Sequence, residues 1–290
     1  MKTCRSWMFV PGHIAKMVQK AAALPADAIM LDIEDGVLPA SKPQARTVIA
    51  QEVAKMPHTG QLRFVRVNAI HHPDFMSDLE AVVGPDIAGI VLPKVETPDE
   101  VRSAVAEIEK LEKGRQLARP LDVMAAIETA QGIINAPRIA AASTRMVALM
   151  LGAEDLGRDI GLPAQRVGEA HELLYARSAL VMAAASARVQ SVDQVWPSLD
   201  DGDGLRRDTL QARRLGFTGK AIIHPSQIGA VNEGFMPTAA DLDFAERVLA
   251  AFRDAEAKGL GAVAFGGQLL DKPIVDRARA TLDMVRERGA

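Results

Sequence analysis

Eight short apolar runs punctuate the chain: Trp7–Val10, Ala28–Ile33, Arg63–Val67, Gly89–Leu92, Val123–Ile127, Val147–Leu151, Val189–Val195 and Lys220–Ile223. Several are apolar throughout rather than at alternate positions, the pattern of parallel strands covered on both faces. Stretches with helical spacing lie between them, among them His13–Leu24, Ser77–Val83, Pro98–Leu111 and Gln165–Arg188. In the first, Ile14, Met17, Val18, Ala21 and Ala22 share one helical face. Strand–helix alternation repeated in this way fits a closed barrel or a doubly wound open sheet. No Gly-rich dinucleotide fingerprint follows the first run, so the pattern predicts a (β/α)8 TIM barrel of the α/β class over residues 1–233.

Residues 234–290 fall outside that rhythm. They hold a helix candidate, Ala239–Lys258, the Gly-rich GLGAVAFGGQLLDKP, and a last helical stretch from Ile274. This is too long for a simple cap. It predicts a C-terminal extension of the same domain, acting as a lid or as an arm across a subunit interface.

Composition narrows the class of protein. With 48% hydrophobic residues in 290, the chain can bury a substantial core. Its net charge of -3 and lack of a long basic run argue against a nucleic-acid partner. A single cysteine, Cys4, rules out an internal disulfide framework and agrees with a reducing compartment. The N-terminus MKTCRSWMFVPG lacks a signal-peptide layout, and no apolar run reaches the roughly 20 residues of a membrane span. A cytoplasmic protein with no membrane partner is the expectation.

In a barrel of this kind the active site lies at the C-terminal ends of the strands. Nearly every predicted strand ends there in a polar or charged residue. Asp32, Glu34 and Asp35 follow the second, Arg66 and Asn68 close the third, and Lys94 follows the fourth. Glu128 follows the fifth, Glu154 and Asp155 the sixth; Asp193 lies in the seventh and His224 follows the eighth. Buried charges are costly unless paired or bound to a metal, so converging acids point to a cation. Oxygen donors without a Cys or His cluster favour Mg²⁺ over zinc. The alternative for any single acid is a simple pair with Arg66, Lys94 or a backbone amide. Lys16 and Lys20, and Lys42 and Arg46, are spaced four apart near the predicted mouth and suit an anionic substrate, although such pairs are commonly solvated faces. Arg66 is the stronger anion ligand, since a guanidinium can grip a carboxylate bidentately.

At these residues the sequence resembles the HpcH/HpaI aldolase and citrate lyase β-subunit superfamily, and most closely its stand-alone, CoA-ester lyase branch. The resemblance rests on RSWMFVPG, LDIEDGV, FVRVN, GIVLPKVE, AAIET, LGAEDLG, GKAIIHPSQI and GGQLLDKPIVDRA, in family order. It departs mildly at His13, Ile33 and Gly36. The resemblance implies a commonly trimeric barrel that uses Mg²⁺ to make or break a carbon–carbon bond in an acyl-CoA. It implies Glu128 and Asp155 as metal ligands and Arg66 as the holder of the substrate carboxylate. Phe9, Lys16, Lys20, Ser41, Lys42, Arg46, Ile223 and His224 would line the substrate and CoA groove, with Glu128 also facing substrate. Asp271 matches the acid that the tail carries to an active site, often that of a neighbouring subunit.

The expected activity is cleavage of a citramalyl-, malyl- or citryl-CoA to acetyl-CoA and a 2-oxo acid. Thioester hydrolysis and CoA-independent aldol cleavage are alternatives on the same fold. A partner-dependent subunit of a lyase complex is the alternative of another class.

Overall fold

The structure, a computed structural model, describes residues 3–163, 170–257 and 259–289. It divides into two compact units, Met1–Asn232 and Glu233–Ala290. In the first, eight parallel strands close into a barrel in sequence order. They are β1 (Ser6–Pro11), β2 (Ala28–Asp32), β3 (Leu62–Arg66), β4 (Gly89–Leu92), β5 (Asp122–Ile127), β6 (Met146–Leu151), β7 (Gln190–Asp193) and β8 (Gly219–Ile222). β8 pairs with β1 through Ser6↔Lys220, which closes the ring. Each observed strand coincides with a predicted run to within two residues.

The helices between them are α1 (Ala15–Ala21), α2 (Lys42–Val53), α3 (Phe75–Val82), α4 (Pro98–Gly114), α5 (Ala130–Ala140), α6 (Ala153–Asp159), α7 (Leu174–Ala187) and α8 (Gly202–Leu215), with α9 (Ile228–Gly234) after β8. The start of the predicted helix Gln165–Arg188 includes residues outside those described; in its remainder a 3-10 turn, His171–Leu173, leads into α7. Local chemistry explains the sharpest helix start. Thr97 caps α4 by accepting from Glu100 N, Glu100 accepts in return from Thr97 N, and Pro98 occupies the first turn.

Strand alternation sorts side chains into two layers. Trp7, Met30, Phe64, Met124, Met150 and Val192 come from six different strands yet belong to one buried cluster. Only the barrel interior can bring them together. Trp7 and Phe64 meet edge-to-face there, their centroids 5.2 Å apart. The intervening residues face the helices, which makes these strands apolar on both sides. Cys4 is buried within this cluster and forms no disulfide.

The second unit contains α10 (Ala239–Ala257), a short antiparallel hairpin of β9 (Val263–Phe265) and β10 (Gln268–Leu270), and α11 (Lys272–Gly289). It has its own small core in Ala245, Val248, Phe252, Leu270, Val275 and Ala278. Among the described residues, no helix is long and apolar enough to cross a membrane.

Candidate active site

The register that builds the interior cluster also selects which charges enter the barrel mouth. Met30 and Phe64 face inward, and two residues further along the same strands stand Asp32 and Arg66, which pair in register. Arg66 donates from Nε to Asp32 Oδ1 at 2.7 Å and from Nη2 to Asp32 Oδ2 at 2.8 Å. Its Nη1 lies 3.1 Å from Glu34 Oε2, and its guanidinium sits 4.6 Å from the centre of the Phe9 ring. Burial alone would pull the Arg66 pKa down, but Asp32, Glu34 and Glu128 outweigh it and leave it raised. The permanent cation is thus fixed by Asp32 through Nε and Nη2, with Glu34 beside Nη1.

Asp32 also shapes its own loop. Its carboxylate accepts from Glu34 N at 3.0 Å and from Gly36 N at 2.8 Å. A Cβ at Gly36 would stand 2.3 Å from Asp32 Oδ2, so the loop requires glycine there. Lys94, held at φ 53°, donates to Glu34 and, at 2.7 Å, to Asp35. A lysine in left-handed backbone is uncommon, and here it aims the amine at two acids. Desolvation raises the pKa of Glu34, whereas for Asp35 the Lys94 hydrogen bond overcomes desolvation and lowers it.

Glu128 continues the inward alternation of Met124 and Ala126 by one residue past β5. Its side chain is 2% exposed, and Oε2 has no hydrogen-bond partner. Desolvation, reinforced by the charges of Glu34 and Asp155, pushes its pKa up to about 7. A Cβ at residue 152 would lie 2.3 Å from Glu128 Cγ, so Gly152 is what lets this carboxyl lie where it does. Asp155, in the first turn of α6, pairs with Arg158 at 2.6 Å and retains partial exposure. A buried carboxylate oxygen without a partner, next to a second carboxylate, suits a hard cation. Among the described residues no group of three or more His, Cys, Asp or Glu is arranged around one metal position. Mg²⁺ takes one or two carboxylates and leaves the remaining positions to water and substrate.

The profile of the HpcH/HpaI aldolase/citrate lyase family matches residues 5–225. The chain belongs to that family. It is 38% identical over 283 residues to the citrate lyase subunit beta of Leuconostoc mesenteroides subsp. cremoris, covering 97% of this chain and 92% of the relative. It is 32% identical over 285 residues to the mitochondrial citramalyl-CoA lyase of Mus musculus, covering 95% and 84%. Among solved structures, CitE from Mycobacterium tuberculosis in complex with magnesium, acetoacetate and coenzyme A aligns with a TM-score of 0.82 at 34% identity, over 97% of this chain and 98% of that one. This citrate lyase family member is an enzyme of the lyase class.

Within this family member the predicted site residues separate into four groups. Phe9, Arg66, Glu128 and Asp155 converge at the mouth with Asp32, Glu34 and Lys94. Lys16 and Lys20 are exposed on α1, Ser41 precedes α2, and Ile223 and His224 follow β8, with His224 Nδ1 accepting from Ser226 N at 3.2 Å. Lys42 and Arg46 are engaged internally: Lys42 Nζ donates to Asn68 Oδ1, and Arg46 pairs with Asp78 at 2.7 Å and Asp74 at 2.9 Å. Asp271 lies in the second unit, where its backbone and side chain cap the start of α11 through Ile274 N at 3.1 and 3.4 Å.

Asp193 takes a different place from the rim position its strand suggested. It points outward into a buried charge cluster, with Arg177 Nη2 at 2.8 Å and Lys220 Nζ at 2.7 Å, and with Asp208 facing the same two cations. The reason is parity: Val192 faces the interior, so Asp193 must face α7 and α8. Gly152 escaped the sequence reading, although a glycine directly before an acidic helix start was its visible sign.

Proposed function

We propose that the protein is a Mg²⁺-dependent lyase that cleaves a β-hydroxyacyl-CoA of the citramalyl, malyl or citryl type into acetyl-CoA and a 2-oxo acid. The observation that carries this reading is the buried, unpartnered Glu128 carboxylate beside the anchored Arg66 cation. Relatives named citrate lyase subunit beta and citramalyl-CoA lyase, and the CitE complex with magnesium, acetoacetate and coenzyme A, support it.

Glu128 and Asp155 would hold the metal. When bound, Mg²⁺ supplies Lewis-acid polarisation of the substrate oxygens. Arg66 binds the substrate carboxylate. Phe9 covers the guanidinium and helps keep water from that contact. The substrate hydroxyl gives its proton to solvent water, the carbon–carbon bond breaks with its electron pair left on the acetyl-CoA carbon as an enolate, and the hydroxyl carbon becomes the carbonyl of the 2-oxo acid. Asp271 is assigned the proton delivered to that enolate carbon, a role resting on the family motif. Lys16 and Lys20 are the exposed cations of α1 for the CoA phosphates; Ser41, Lys42, Arg46, Ile223 and His224 complete the proposed groove. A homo-oligomer, in the family a trimer, belongs to the same proposal.

The test is a coupled assay of purified protein with citramalyl-CoA, malyl-CoA and citryl-CoA, with and without Mg²⁺. Mg²⁺-dependent acetyl-CoA release supports the lyase; free CoA with an intact hydroxy diacid supports a thioesterase; equal activity without metal overturns the mechanism. A partner-dependent reading is favoured by the relatives that are named as subunits. Turnover of a free CoA thioester by this chain alone excludes it.

A further inference from the structure

Past the ends of β5, β6 and β7 the parallel register brings three residues into one row. Ile127 pairs with Leu151, so Glu128 falls opposite Gly152; Met150 pairs with Val192, so Gly152 falls opposite Gln194. The hydrogen bond from Gly152 N to Ile127 O, 3.0 Å, carries the ladder to that level. Adjacent strands stand about 4.8 Å apart, which puts the Glu128 and Gln194 backbones about 10 Å apart across a residue with no side chain. Glu128 leans over Gly152, since a Cβ there would be 2.3 Å from Glu128 Cγ. Its carboxyl therefore extends toward β7.

Gln194 closes the other end of the row. Val192 belongs to the interior cluster and Asp193 points the opposite way, to Arg177 and Lys220. Alternation about Asp193 returns Gln194 to the barrel side. Gln194 is 1% exposed, and neither its Nε2 nor its Oε1 has a hydrogen-bond partner. A buried amide with both ends unpaired disfavours folding and calls for a ligand to complete it. It stands two strands from the equally unpaired Glu128 oxygen, with only glycine between.

We propose that Gln194 is a specificity-determining residue that reads the third substituent on the reacting carbon of the 2-oxo acid. The inference rests on the lyase reading and refines its substrate. Arg66 and the metal ligands serve the carboxylate and oxygen common to every 2-oxo acid. Gln194 Nε2 then donates to an oxygen that only a polar arm supplies. The site accordingly takes a 2-oxo dicarboxylate of the oxaloacetate type in preference to one whose substituent is a methyl or a hydrogen. A methyl would leave the amide as unpaired as it is without ligand, and sites built around a hydrogen bond discriminate steeply against analogues that lack it.

The experiment compares wild type with Gln194→Leu and Gln194→Met by two readouts. The first is the rise in Tm with Mg²⁺ plus oxaloacetate and with Mg²⁺ plus pyruvate. The second is kcat/KM for citryl-CoA against citramalyl-CoA. Wild type is expected to favour oxaloacetate and citryl-CoA, and each variant to lower that preference about 100-fold without lowering the ligand-free Tm. Preference for pyruvate in wild type, an equal loss for both substrates, or a marked fall in ligand-free Tm in both variants would overturn the inference. If neither CoA ester turns over while the Tm preference for oxaloacetate is lost in the variants, the lyase reading fails and the Gln194 assignment stands. If turnover occurs with an unchanged ratio, the reverse holds.

Discussion

Asp32 holds Arg66 by two parallel hydrogen bonds of 2.7 and 2.8 Å, from an adjacent strand and at the same register level. The pair is nearly buried, with side-chain exposures of 4% and 13%. The guanidinium therefore cannot swing. Positioning of this kind matters because small misplacements at a binding group cost rate steeply.

Removing Asp32 should consequently weaken both stability and substrate binding. Asp32→Ala leaves Arg66 buried without its bidentate partner, and a loss of about 3 kcal/mol is expected in urea unfolding. KM for the 2-oxo acid should rise in the synthetic direction. Arg66→Lys should not restore a normal KM, because an ammonium cannot serve Asp32 and an anion in one plane. A normal KM in the lysine variant would argue against the fork geometry.

Glu128 should make the metal-free protein less stable as pH rises. Its folded pKa, pushed up to about 7, exceeds the ordinary 4.5, so between those values the folded state binds more protons than the unfolded state. Stability attributable to this residue is full below about 4.5, falls through that window, and is lost above about 7. Glu128→Gln should therefore match wild type near pH 4 and exceed it at pH 8, by on the order of 3 kcal/mol. Denaturant midpoints measured across pH would check the sign. Mg²⁺ should reverse the ranking at pH 8 by stabilising wild type alone, and its affinity should weaken as the pH drops below about 7.

Gly152→Ala tests whether the glycine is required by packing. The new methyl would meet Glu128 Cγ at 2.3 Å, and overpacking of this kind costs roughly 1–3 kcal/mol. Displacement of the carboxyl should lower Mg²⁺ affinity more than it lowers the melting temperature of the metal-free protein. Calorimetric titration with Mg²⁺ separates these two effects.

Asp193→Ala should behave as a folding mutation and not as an active-site mutation. It removes one of the carboxylates facing the fully buried Arg177 and Lys220, and about 3–5 kcal/mol of stability should be lost. Folded enzyme recovered at low temperature should keep its KM values. A selective rise in KM would place Asp193 in contact with substrate after all.

Much of the architecture was legible in one dimension. Runs such as Gly89–Leu92 and Val123–Ile127 are apolar at every position because both faces of each strand are covered, and composition alone records that. Polar residues placed just after such runs marked Arg66, Glu128 and Asp155 as rim residues. The same logic misplaced Asp193, since a rim position and an outward-facing position differ by a single residue along a strand. The charges of Lys42 and Arg46 were visible too, but their engagement by Asn68, Asp74 and Asp78 was not, as those partners lie on other elements.

By itself the sequence determined the eight-strand alternation, the family, and the residue types available for acid, cation and anion chemistry, because each is a local or periodic property. Tertiary structure decided which of those side chains share a volume. Barrel closure and register turn Asp32, Arg66 and Glu128 inward, turn Asp193 outward, and set Gln194 opposite Gly152. Register depends on hydrogen bonds between strands distant in the chain, and a shift of one residue would exchange every inward side chain for an outward one.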